Sequence, residues 1–159
     1  MPKFNFRLQQ YLVVKEQIED QKELEYAKAL QMLEEEKQKL ADLIRRREEA
    51  VESLRRAVSK SISPFEIRRY NNNIERLKHQ ITVQRERVKA AEEYVEQKRQ
   101  ELVQAMKERK ALEIVKENQR EEFLKEEQLA EQKQVDELVS FKYADKIEQH
   151  TKNGRRPDK

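Results

Sequence analysis

Cysteine and tryptophan are missing from this 159-residue chain, and glycine occurs once, at Gly154. Without cysteine there are no disulfides and no thiolate chemistry, although this says little about compartment. A single late glycine cannot build a phosphate-cradling loop of the Gly-rich type. It also leaves too few turn residues for an ordinary globular domain. Long apolar runs are absent as well: none approaches the ~18–20 residues that cross a bilayer. The opening residues lack the apolar core of a signal peptide. A cytoplasmic protein without direct membrane insertion is therefore expected. An excess of one charge is missing too, with 35 basic against 32 acidic residues, a net +3. Neither half is strongly one-signed, so no dedicated nucleic-acid or membrane surface is expected.

What the chain does have is charge and helix formers. Charged residues make up 42% of it, and Glu, Lys, Arg, Gln, Leu and Ala lose little side-chain freedom in a helix. The mean hydropathy of −1.16 would also suit a disordered segment. Sustained apolar seams decide for a coiled coil.

The one clear break is Ser59-Lys60-Ser61-Ile62-Ser63-Pro64-Phe65-Glu66. Ser63 can cap free backbone N–H groups, Pro64 suits the first helical position, and Glu66 completes a Ser-x-x-Glu capping box. Before the break a seam runs through Leu30, Leu33, Lys37, Leu40, Ile44, Arg47, Val51, Leu54 and Val58. Upstream, Ile18, Lys22, Tyr26 and Leu30 step by four each time, which reads as a stutter. After the break the seam is Ile67, Tyr70, Ile74, Leu77, Ile81, Gln84, Val88, Ala91, Val95, Lys98, Leu102, Ala105, Arg109 and Leu112.

The expected fold is all-α: two long helices in a single antiparallel coiled-coil hairpin, the second longer than the first. Helix 1 is expected over 4–58, the turn over 59–63, helix 2 over 64–149 and a flexible tail over 150–159. At ~1.5 Å per residue the helices are ~80 and ~125 Å long. Layering about the turn sets Leu54 against Ile67, Ile44 against Leu77, Leu40 against Ile81 and Leu33 against Val88. Lys37 then meets Gln84, a polar layer that penalises slipped registers. Helix 1 should run out near Ile114, leaving Val115, Phe123, Leu124, Leu129, Val135, Leu138, Val139 and Phe141 on an overhang. Apolar residues without a covering helix are the best candidates for a protein contact.

No chemistry of catalysis emerges. His79 and His150 are far apart and lack any metal-ligand spacing, so His79 is expected on a helix surface. Glutamate runs such as Glu34-Glu35-Glu36 and Glu121-Glu122 lack the desolvated pocket that acid/base work needs. The basic runs Arg45-Arg46-Arg47 and Arg68-Arg69 sit among acids, so ion pairing is expected rather than nucleic-acid binding. No enzyme, cofactor or metal is expected.

Three segments carry a family resemblance. They are the aromatic-leading start Phe4-Asn5-Phe6-Arg7-Leu8-Gln9-Gln10-Tyr11-Leu12, the turn and helix start from Ser63 to Leu77, and Glu131-Gln132-Lys133-Gln134-Val135-Asp136-Glu137. The last is similar to a Glu-Gln-Lys-x-Leu-Asp-Glu signature, with Val135 in place of leucine. Over nearly its whole length the chain resembles the FliJ family, coiled-coil proteins of the bacterial flagellar export apparatus.

The resemblance implies a cytoplasmic hairpin similar to the central stalk of rotary ATPases, at the cytoplasmic face of the membrane at the flagellar base, in a motile and chemotactic bacterium. Its partners would be the hexameric export ATPase (FliI-like), whose ring assembly it promotes, the export gate protein (FlhA-like) and export chaperones. Free, it would be a monomer. The terminal end would enter the ATPase ring and the turn-proximal part of helix 2 would face the gate. Tyr70, Asn73 and Leu77 are the gate-side candidates, with Asn73 polar where the family pattern is apolar or aromatic. Tyr70 and Leu77 serve equally well as seam packing. Phe123, Leu129, Asp136, Glu137, Leu138 and Phe141 are the ATPase-side candidates, Asp136 and Glu137 also reading as a solvated helix end. Two other readings remain: the stalk protein of a virulence type III secretion system, and a generic scaffold that dimerises through its seam.

Overall fold

The computed structural model describes residues 2–154 and contains two helices, α1 over Gln9–Ser59 and α2 over Pro64–Asn153. They form an all-α antiparallel hairpin in which the second helix is the longer. Two compact units are distinguishable, one formed by Tyr11–Arg109 and the other by Met1–Gln10 with Lys110–Lys159.

The Tyr11–Arg109 unit contains the turn. The end of α1 is closed by hydrogen bonds from the Lys60 N–H to the Ala57 carbonyl (3.1 Å) and from the Ser61 N–H to the Val58 carbonyl (3.3 Å). The Ser59 hydroxyl also donates to the Arg56 carbonyl, at 2.7 Å. Ser61 then reverses the chain at φ 66°, a left-handed conformation that glycine adopts far more readily. The Ser63 hydroxyl accepts from the Glu66 N–H at 3.3 Å, and the Ser63 carbonyl accepts the first helical bond, from Ile67. This is the expected N-cap. Pro64 follows it as the first residue of α2, where its missing N–H has no helical partner to lose.

On α2 every seam position read from the sequence is buried or half-buried, with Leu77, Ile81, Gln84 and Ala105 deepest. On α1 the reading needs correction. Ala29 is buried where Leu30 was expected, and Leu30 is exposed; Glu36 is half-buried where Lys37 was expected, and Lys37 is exposed. Val58 and Arg47 face solvent, with Ala57 half-buried. Burial instead follows Leu12, Lys15, Glu19, Lys22, Tyr26, Ala29, Leu33, Glu36 and Leu40. These steps alternate three and four without interruption, so the stutter expected around Ile18–Leu30 is absent.

The physical reason lies in the charged side chains of that seam, each of which finds a partner on α2. The Gln84 amide donates to the Glu36 carbonyl at 3.0 Å and to its carboxylate. The polar layer at Gln84 therefore exists, but its partner is Glu36. Glu19, 8% exposed, pairs with Arg109, and Lys15 pairs with Glu108 at 2.9 Å.

Between them lies a closed ring of four charges. Lys22 contacts Glu25 (3.4 Å) and Glu101 (3.3 Å), and Lys98 contacts the same two carboxylates at 3.4 and 3.2 Å. The Lys98 ammonium also sits 5.3 Å from the Tyr94 ring centroid. Hydrogen bonding to Glu101 raises both lysines above the ordinary lysine range. Glu101 is lowered, first by its bond from Lys98. Partial burial alone would raise Glu25, but hydrogen bonds from Lys98 and Lys22 bring it below the ordinary value.

In the other unit, residues 2–8 are not helical, so the helix expected from Phe4 begins only at Gln9. The Gln9 N–H bonds the Phe6 carbonyl at 3.1 Å, and Phe6 is 5% exposed. Lys116 caps the Phe6 ring at 6.0 Å and donates to the Gln9 side chain at 2.8 Å. Phe4 packs on Phe123, with ring centroids 5.6 Å apart. From Gln128 to Gly154 every described residue is exposed. α2 continues past the expected end at Gln149 to Asn153. The tail expected over 150–159 is helical at 150–153, and its residues 155–159 lie outside the described ones.

Candidate partner-binding surfaces

The sequence-derived candidates fall into both units. In the turn-containing unit, Leu77 is 7% exposed and packs in the core. Tyr70 is half-buried on the seam. Asn73 is exposed, and its side-chain oxygen accepts from Arg76 at 3.2 Å. Tyr70 and Asn73 share a surface cleft of about 410 Å³ with Glu66 and Arg69. Leu77 lies among the buried seam residues, so these three do not form one open patch.

In the unit containing the chain's first and last residues, Phe123 is half-buried beneath Phe4 and is not part of an uncovered overhang. The open apolar surface starts further along α2. Leu129 (66% exposed), Leu138 (61%) and Phe141 (73%) are all bare, and Asp136 and Glu137 lie exposed beside them. At ~100° per residue, Val135, Val139, Tyr143 and Ile147 climb one side of α2 in steps of four, while Leu138 and Phe141, three residues apart, lie together on another side. Tyr143 and Ile147 were missed as candidates. Their signal was this four-residue spacing, which a seam search with alternating steps passes over. They line a cleft of about 520 Å³ with Lys146, His150 and Thr151.

The basic runs behave differently from expectation. Arg45 pairs with Asp42 (3.3 Å) and Glu49 (3.9 Å). Among the described residues, Arg46, Arg47, Arg68 and Arg69 form no ion pair, so pairing does not account for them. Acids stand within reach in sequence, but exposed guanidinium groups gain little from a partner that must be immobilised.

No group of three or more His, Cys, Asp or Glu among the described residues could hold a metal ion. No described helix is long and apolar enough to cross a membrane. What the surface offers is an open apolar helix face and a basic turn, both suited to macromolecular contacts.

The family model described as "Flagellar FliJ protein" matches residues 4–148. The chain belongs to the FliJ family. That match takes in the Phe4–Phe6 lead-in, the Ser63–Glu66 cap and α2 through Glu148. No curated protein sequence matches the chain. Among solved structures it is similar to CT670 from Chlamydia trachomatis, described as a YscO homolog. The TM-score is 0.58 with 22% sequence identity, over 92% of this chain and 99% of that one. At that identity the likeness is one of fold.

Proposed function

We propose that this FliJ family member is a non-enzymatic, stalk-like component of a bacterial type III protein-export apparatus of the flagellar kind. It binds the export ATPase ring, promotes its assembly, and couples it to the export gate and to export chaperones. The observation that carries this reading is the family match over residues 4–148. The bare apolar face of α2 from Leu129 to Ile147 supports it, because a helix face of this kind calls for a partner. Leu129, Asp136, Glu137, Leu138 and Phe141 would contact the ATPase, with Phe123 holding the lead-in segment beside them. Tyr70 and Asn73 would contact the gate, with Leu77 packing behind them. The protein acts at the cytoplasmic face of the membrane and is a monomer when free.

The test is affinity capture of the full chain from its source organism. An export ATPase and a gate protein should co-purify; their absence at native expression, with the bait folded, would reject the reading. A second reading, the stalk of a virulence type III secretion system, is supported by the fold shared with a YscO homolog. YscO is the type III secretion counterpart of FliJ. The identity of the captured ATPase, flagellar or virulence, separates the two.

A further inference from the structure

The net charge of +3 conceals a concentration at the turn. From Arg45 to Lys78 there are ten basic and five acidic residues, so the rest of the chain is on balance acidic. Closer to the turn, Ser53–Tyr70 contains Arg55, Arg56, Lys60, Arg68 and Arg69 against Glu66 alone. Arg55 and Arg56 share one carboxylate, Glu52, each at 3.9 Å, and stay about three-quarters exposed. Lys60, Arg68 and Arg69 have no ion pair or side-chain hydrogen bond among the described residues. Amid these cations stand two bare apolar side chains, Phe65 at 70% exposure and Val58 at 54%. Ile62 is half-buried between them in sequence.

We propose that this turn is a peripheral docking site for an anionic lipid surface. The ring of Phe65 would enter the headgroup boundary, and Arg55, Arg56, Lys60, Arg68 and Arg69 would meet lipid phosphates. Charge complementarity selects an anionic partner. The choice of lipid over nucleic acid rests on Phe65 and Val58, which stand bare at the turn. A nucleic-acid surface would use its aromatics as flat platforms along a basic groove. A lipid surface accepts a protruding apolar residue ringed by long cationic side chains that reach back to the headgroups. This site is separate from the bare face of α2 and does not depend on the export-stalk reading.

The experiment is co-flotation of the full chain with vesicles of phosphatidylcholine alone or with about 30% phosphatidylglycerol, followed by the same assay in high salt. The chain should float with the anionic vesicles, remain behind with the neutral ones, and be released by salt. Each basic residue near such a surface adds roughly fivefold to partitioning, so Arg68→Gln with Arg69→Gln should lower it about thirtyfold. Phe65→Ser should lower it by up to about tenfold without changing salt sensitivity. Leu138→Ser should leave flotation unchanged. Circular dichroism confirms that each variant is folded. Equal flotation with neutral vesicles, no flotation, or full binding by the double arginine variant would overturn the proposal. So would tighter binding of a labelled oligonucleotide or of polyglutamate than of anionic vesicles, since the turn would then be a general polyanion or acidic-protein contact.

Discussion

Gln84 of α2 is bonded through its amide to both the backbone carbonyl and the carboxylate of Glu36 on α1, and is itself only 4% exposed. A buried amide that bridges two helices favours one register over its neighbours, because a slipped pairing leaves it unsatisfied. Gln84→Ala should cost about 1–3 kcal/mol, lowering Tm by several degrees in thermal circular dichroism. Replacing Gln84 and Glu36 together by leucine should recover much of that stability. The double variant should also give more than one species on size-exclusion chromatography, because the positional penalty is gone. A single sharp monomer peak would show that register is set elsewhere.

The four-charge ring makes a pH prediction whose sign is set by its partners. Glu101 and Glu25 are lowered in the folded chain, as are Glu36 and Glu108, for which the first causes are the bonds from Gln84 and Lys15. Their stabilisation is complete above about 4.3, the ordinary glutamate value, and is lost as pH falls through the lowered folded values. Lys22 and Lys98 are raised by their bonds to Glu101. Their contribution is complete below about 10.4 and is lost as pH rises through the raised values. Tm should be flat between about pH 5 and 10 and fall on either side. Lys98→Gln should weaken the alkaline fall. A Tm that rises on acidification from pH 5 to 3 would contradict the assignment.

Ser61 occupies the left-handed region at φ 66°, where a side chain costs roughly 1 kcal/mol. Ser61→Gly should therefore leave Tm unchanged or raise it by a few degrees. Ser61→Val should lower it, since β-branching crowds this conformation further. Equal Tm for the two variants would mean that the turn relaxes to another conformation.

Phe4 and Phe123 are 5.6 Å apart and tilted by 47°, so a double-mutant cycle to alanine should give a coupling of about 0.5–1.5 kcal/mol. Phe6→Ala should increase amide hydrogen exchange at residues 4–10 well before any change in the global melt, because the lead-in opens locally. A cycle that sums to zero would mean that the rings are neighbours without mutual stabilisation.

Leu138 and Phe141 stand bare on α2. Leu138→Ser with Phe141→Ser should leave mean-residue ellipticity nearly unchanged. Under the proposed function the same variant binds an export ATPase at least tenfold more weakly, read by surface plasmon resonance. Leu138 and Phe141 lie three residues apart on one side of α2, so each single variant should give part of the loss.

Much of this molecule follows from local chemistry. Helix formers with one late glycine require long helices. Ser63 and Pro64 set where α2 starts, and the apolar spacing of α2 locates its seam residue by residue. Hydropathy could not decide α1. Glu19, Lys15, Lys22 and Glu36 are polar, and whether such groups lie inward depends on Arg109, Glu108, Glu101 and Gln84, many residues away in sequence. A charge is buried only where a counter-charge or hydrogen bond awaits it, and that is a property of the folded pair. With the phase of α1 set by those pairs, Ala29 falls inward and Leu30 outward. The non-helical lead-in that sets Phe6 beneath Lys116 and Phe4 onto Phe123 likewise depended on α2 being there to receive it. Composition and periodicity thus determined two helices, their turn and one seam. Only tertiary pairing decided which face of α1 turned inward and which apolar residues of α2 remained open to a partner.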